Sequence, residues 1–159
     1  MKDVKPDGGY TFVTGMVKPA SRGTVRLTKA DPAAPLAINP NYLAEQADVD
    51  AFVQGVELAI ALGNGRGYSA MRNEQLTLRG ANKGQIAEYV RANGSTYFHY
   101  SGTCAMGRDA TVDEALRVRG VGHLRVIDAS VIPEAPCCNT NPAVLSLAER
   151  AAELILAGA

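Results

Sequence analysis

The chain carries no net charge: its 159 residues include sixteen Lys and Arg against sixteen Asp and Glu. That balance removes the electrostatic footprint on which binding to phosphate backbones or anionic membranes depends, so nucleic-acid and membrane roles are not expected. Long apolar runs are lacking as well, none approaching the roughly 20 residues that cross a bilayer. The opening Met1-Lys2-Asp3-Val4-Lys5-Pro6 does not lead from a basic segment into an apolar one, as a secretory leader would. The expected location is cytoplasmic. Cysteine is scarce: Cys104, Cys137 and Cys138 are odd in number and two are adjacent, which favours reduced thiols over a disulfide framework. Adjacent side chains at 137 and 138 diverge, and no CxxC or HExxH spacing occurs, so no metal site is expected.

What remains is an ordinary composition for one domain, 47% hydrophobic and 20% charged. Tyr10 to Lys18 is rich in β-branched and aromatic residues and reads as a strand. The turn cluster Pro19-Ala20-Ser21-Arg22-Gly23 and the alternating Thr24-Val25-Arg26-Leu27-Thr28 would complete a hairpin. Pro32, Pro35 and Pro40 mark residues 31–42 as an irregular loop. Asp48 is placed to cap a helix with Val49, Phe52, Val53, Val56 and Ile60 at the helical period, stopped by the glycine cluster at 63–67. A second helix is expected over Lys83 to Arg91, broken by Gly94, followed by a strand-like Ser95 to Tyr100. Leu116 to Arg119 and Leu124 to Ile127 read as short β segments, and Pro133 and Pro136 bound a loop. Asn141-Pro142 then opens a final helix with Val144, Ala148, Ala151 and Ile155 as its inward stripe.

The glycines at 63, 65 and 67 do not form a nucleotide-binding loop. They read GxGxG, follow a helix and lack a Lys-Ser/Thr ending, so a helix stop is the simpler account. The two histidines differ in setting. His123 sits in a glycine-rich turn and is expected on the surface. His99, between aromatics and a run of small residues, reads either as a hydrogen-bonded core histidine or as a base, imidazole being the side chain most easily poised near neutral pH.

A set of ordered blocks narrows these alternatives. His99-Tyr100-Ser101-Gly102-Thr103-Cys104-Ala105-Met106-Gly107 is followed by Val112-Asp113, Leu116-Arg117-Val118-Arg119-Gly120-Val121 and Leu124-Arg125-Val126-Ile127-Asp128-Ala129-Ser130-Val131-Ile132-Pro133. Asn139-Thr140-Asn141-Pro142 and Ala148-Glu149-Arg150 complete the series. Together they resemble the C-terminal end of the glucose-methanol-choline (GMC) oxidoreductases, FAD-dependent alcohol oxidases and dehydrogenases. Pro19 to Leu27 and Ala30-Asp31-Pro32 are similar, less specifically, to the start of that family's substrate-binding region.

The resemblance implies that His99 is the catalytic base and Asn141 its partner on a small alcohol, with the hydroxyl proton passing to His99 and the carbinol hydride to the flavin. Such a base acts where charge changes most. On the residues alone, Asn141 is equally a plain helix cap. The resemblance also places Asp128 and Ala129 against the cofactor, with Asn141, Pro142 and Val144 beside the isoalloxazine. Phe98 lines the substrate cavity or packs in the core. Cys104 reads as packing, since nothing beside it would stabilise a thiolate.

The glycine-rich ADP-binding fingerprint of the family is missing. The chain is therefore expected to be a C-terminal portion that relies on an N-terminal FAD-binding portion or a partner chain. The predicted fold class is α+β: residues 1–94 form a substrate-binding region, an antiparallel sheet with helices on one face, and residues 95–159 add a terminal strand and helix that would complete a Rossmann-like domain. An unpaired strand edge favours association, so a homo-oligomer is one expected form of the isolated chain. A lyase of the same fold and a non-catalytic subunit are the alternatives.

Overall fold

The computed structural model describes residues 9–158; the Met1–Pro6 segment read for a leader lies outside them. The chain divides into two compact units. One contains Ala20–Gly23 and Pro40–Ser95 with the chain up to Met16, and the other contains Val17–Pro19, Thr24–Asn39 and Thr96–Ala159.

The first unit is built on two helices, α1 (Gln46–Gly63) and α2 (Lys83–Asn93). The apolar period of α1 turns Val49 and Val53 inward, where they meet Ile86 and Val90 of α2 in a core flanked by Leu43, Phe52, Val56 and Ile60. The start of α2 is set by a reciprocal pair of bonds: the Asn82 side chain accepts from the Gln85 N–H at 3.0 Å, and the Gln85 side chain accepts from the Asn82 N–H at 2.9 Å. Two otherwise orphaned donors at the helix end are thereby satisfied. The stop of α1 falls at Gly63, as the glycine cluster predicts. Its terminal carbonyl accepts from the Tyr10 hydroxyl at 3.0 Å and the Arg72 guanidinium at 2.6 Å.

Two expectations for this unit are corrected. Asp48 does not cap α1; the helix begins three residues earlier than expected, at Gln46 after Glu45, and Asp48 lies buried within its first turn. There it accepts from the Ala20 N–H at 2.7 Å, the Ser21 N–H at 2.8 Å and the Ser21 hydroxyl, so it anchors another segment rather than its own helix. Tyr10 to Lys18 forms no strand. Tyr10 and Phe12 instead pack with Tyr68, at ring-centroid distances of 4.8 and 5.3 Å, beside the end of α1. Their β propensity reflects a fit to any half-buried apolar surface, and here that surface is helical.

In the second unit, β1 (Thr24–Arg26) pairs antiparallel with β2 (Ala37–Asn39), in the register Thr24 to Asn39, Val25 to Ile38 and Arg26 to Ala37. The hairpin partner thus comes from the segment read as loop, because its prolines, at 32, 35 and 40, bracket the paired residues without entering them. All six ribbon residues are exposed, so among the described residues the expected sheet with helices over one face reduces to an uncovered two-stranded ribbon. The α+β class stands. Ser95 to Tyr100 is irregular. The segments around 116–119 and 124–127 meet through one isolated antiparallel bridge, Arg117 to Arg125, with the Val118 N–H donating to Leu124 O at 2.9 Å and the Val126 N–H to Leu116 O at 3.2 Å. Behind them Val112, Leu116, Val131 and Ala151 form the core.

The final helix, α3, spans Thr140–Leu156. Its inward face is Val144, Leu147, Ala151 and Leu154, whereas Ala148 and Ile155 are exposed, contrary to the predicted stripe. Both sets share the same period; packing against the core selects the phase that buries Leu147.

Candidate active site

The site is assembled by backbone pairing between two of the blocks singled out in the sequence. After His99 the chain turns at Gly102, whose φ of +87° is open to glycine, and where an added Cβ would come within 3.4 Å of the Pro133 carbonyl. The following residues run along the 130–131 segment, the Cys104 N–H donating to Ser130 O at 3.0 Å and the Met106 N–H to Val131 O at 2.8 Å. The His99 block is thus tied directly to the Asp128–Pro133 block.

His99 itself is half-buried. Its Nδ1 lies 3.3 Å from the hydroxyl oxygen of Thr140, the first residue of α3, and its ring stands 6.0 Å from that of Tyr97. A contact across 41 residues therefore brings the imidazole to the N-terminal turn of the helix that carries Asn141. Asn141 is exposed in that turn but is not the cap. Asn139 holds that position, its side chain accepting from the Asn141 N–H at 2.8 Å. The expected cap at Asn141 is displaced because Asn139 offers the same capping chemistry two residues earlier. Asn139→Ala is expected to destabilise the second unit by about 1 kcal/mol, measured by chemical denaturation, while Asn141→Ala leaves the cap intact.

The remaining residues are distributed as follows. Asp128 caps a short 3-10 turn, Ala129–Val131, accepting from the Ser130 N–H at 2.8 Å. Hydrogen bonds from the Ser130 side chain and N–H hold its carboxyl below the ordinary aspartate value, against a smaller opposing effect of burial. Ala129 is half-buried in that turn. Pro142 is exposed in the first turn of α3 and Val144 is half-buried on its inner face. Phe98 is 80% exposed with a φ of +62° and packs in neither core of the described residues. Tyr97 and Tyr100 are exposed on either side, and His123 is on the surface as expected. Cys104 is half-buried, while Cys137 and Cys138 are exposed, all three as free thiols. The residue that sequence reasoning missed is Thr140. Its one signal was its place inside the Asn139-Thr140-Asn141-Pro142 block, which the misplaced cap put outside the helix.

Comparison with known proteins places this arrangement. The C-terminal family model of the GMC oxidoreductases matches residues 19–148. An alcohol dehydrogenase (acceptor) of Pseudomonas putida is 33% identical over 152 residues, covering 93% of this chain and 28% of the relative. The crystal structure of pyridoxine 4-oxidase from Mesorbium loti superposes with a TM-score of 0.80 at 31% identity, over 86% of this chain and 28% of that one. A formate oxidase from Aspergillus oryzae RIB40, in a variant made to follow modification of its FAD, superposes with a TM-score of 0.81 at 31% identity, over 90% and 26% of the two chains. The chain spans less than a third of the length of these relatives. With the family model covering most of its length, and with His99 meeting the first turn of the last helix, this chain belongs to the GMC oxidoreductase family, of which it carries the C-terminal region.

Proposed function

We propose that this chain works as the C-terminal part of an FAD-dependent oxidoreductase acting on CH–OH groups, with an N-terminal FAD-binding portion supplied by further sequence or by a partner chain. The observation that carries the reading is the contact between His99 and Thr140, which joins the base to the turn bearing Asn141. The relative from Pseudomonas putida, an alcohol dehydrogenase, supports an alcohol as substrate.

The cofactor is FAD, which supplies the two-electron acceptor for the substrate hydride when bound. The residues present fit it. Tyr97, Phe98, Tyr100 and Leu145 leave large apolar side chains uncovered in the unit that holds His99, as a surface built to be covered does. The N-terminal turn of α3 presents Asn141 and Pro142 to solvent at the electropositive end of a 17-residue helix, an environment suited to an electron-rich ring edge. Asn141, Pro142 and Val144 would hold the ring, and Asp128 with Ala129 the chain beyond it.

His99 in its neutral form accepts the hydroxyl proton at Nε2, the nitrogen opposite the Thr140 contact. Removing that proton as the hydride departs avoids full positive charge on the carbinol carbon. Asn141 donates to the same substrate oxygen through its carboxamide and orients it without competing for the proton. Phe98 shapes the entrance through which the alcohol arrives, and the product is an aldehyde or ketone.

The test joins the chain to a family FAD-binding portion and adds primary and secondary alcohols in the absence of oxygen. Bleaching of the flavin absorbance is expected. Failure of every alcohol to bleach the bound flavin would overturn the reading, and cyanohydrin cleavage without bleaching would assign a lyase in its place.

A further inference from the structure

We infer that Thr140 is a positioning residue that fixes the tautomer of His99, accepting from Nδ1–H and so leaving the Nε2 lone pair directed outward for a substrate proton. The inference rests on the proposed role of His99 and adds to it a residue that acts only through the imidazole. A histidine ring can take this contact in two senses. If the Thr140 hydroxyl donated to Nδ1, the proton of the neutral ring would sit on Nε2, and that nitrogen could accept nothing. At 3.3 Å the spacing accommodates either sense. The proposed base role decides between them: an Nε2 that accepts a substrate proton requires a neutral ring protonated at Nδ1, and the Thr140 hydroxyl oxygen is the acceptor within reach of that nitrogen.

Three features make the arrangement a held one. Thr140 is buried, 9% exposed, so its hydroxyl is not freely exchanged for water. It is the first residue of α3, and the Asn139 cap anchors the turn that carries it. Among the described residues no hydrogen bond is made to Nε2, which leaves Nδ1 as the ring's one tethered nitrogen. Ring orientation and proton position are thus set together, by a side chain adjacent in sequence to the proposed substrate ligand Asn141. A ligating or catalytic imidazole held through its far nitrogen is a general device for choosing which nitrogen reacts.

The experiment uses the 159-residue chain with nitrogen-15 label in histidine and the substitution His123→Gln, which leaves His99 as the sole imidazole. Nitrogen chemical shifts above the imidazole titration report where the neutral ring carries its proton. The expected result is a predominantly Nδ1–H ring in the parent, retained in Thr140→Ser and lost in Thr140→Val, where the ring returns to the Nε2–H form that free histidine favours in water. A parent ring already in the Nε2–H form overturns the inference, as does a Thr140→Val ring that keeps its proton on Nδ1. Should Thr140→Val fail to fold, Thr140→Ala takes its place, and a ring that keeps its proton on Nδ1 there overturns the inference. Turnover stands apart from this readout. A fixed Nδ1–H tautomer with flavin reduction indifferent to His99 would sink the proposed function and leave the Thr140 assignment standing.

Discussion

Replacing His99 with Asn is expected to slow flavin reduction by alcohol roughly 100- to 10,000-fold in the completed enzyme, the range in which general-base catalysis contributes. Asn keeps a polar side chain of similar reach but has no basic nitrogen, so the alcohol still enters and its proton has no acceptor. The loss belongs in the reduction rate, read by stopped-flow absorbance at saturating alcohol, with substrate affinity changed far less. Asn141→Ala removes an orienting donor and leaves the base, so a smaller effect shared between rate and affinity is expected from it. A His99→Asn enzyme reduced within a few-fold of the parent rate would remove His99 from the chemistry.

Loss of the Asp48 carboxylate is expected to have the largest effect on folding. Asp48 is 3% exposed and gathers three donors from Ala20 and Ser21, while the Ser21 hydroxyl in turn accepts from the Glu45 N–H at 3.1 Å. Asp48→Ala strands those donors beside an apolar helix face and is expected to cost about 3 kcal/mol, in the upper range for bonds made to a charged group. The same cluster sets a pH dependence. Burial is the strongest single influence and raises the Asp48 pKa, but the bonds from the Ser21 hydroxyl and the Ala20 and Ser21 N–H groups, with Arg22 nearby, outweigh it and leave the value below the ordinary one. A group whose pKa is lower folded than unfolded stabilises the fold above the unfolded value, about 3.9 for aspartate. That contribution is lost as the pH falls from there through the lowered folded value. Denaturation midpoints of parent and Asp48→Ala should therefore converge on acidification below pH 4 and stay apart at neutrality. Parallel curves across that range would remove Asp48 from this account.

The helices were legible because their determinants are local. Val49, Phe52, Val53, Val56 and Ile60 repeat at the helical period, Ile86, Tyr89 and Val90 share one face before Gly94, and the glycines after Leu62 end what precedes them. The strands were not. Tyr10 to Lys18 carries more β propensity than Ala37–Asn39, yet only the latter pairs, because pairing needs a partner in reach and the aromatics at 10 and 12 found one in Tyr68 instead. The misplaced caps at Asp48 and Asn141 differ in cause. Asn139 offers the capping chemistry of Asn141 two residues earlier, whereas no side chain caps α1 and the Asp48 carboxylate is taken by the Ala20 and Ser21 donors.

By itself the sequence determined the helical segments, the membership of a family through ordered blocks, and the identity of an imidazole and a carboxamide as the groups to watch. Each of these depends on residue type and short spacing. Tertiary structure alone decided that Asp48 anchors a distant turn, that Leu147 rather than Ala148 faces the core, and that Thr140 meets His99 across 41 residues. The physical reason is that a side chain's partner across such a span is chosen by how the whole chain packs. Local propensity, which acts over a few residues, carries no record of that choice.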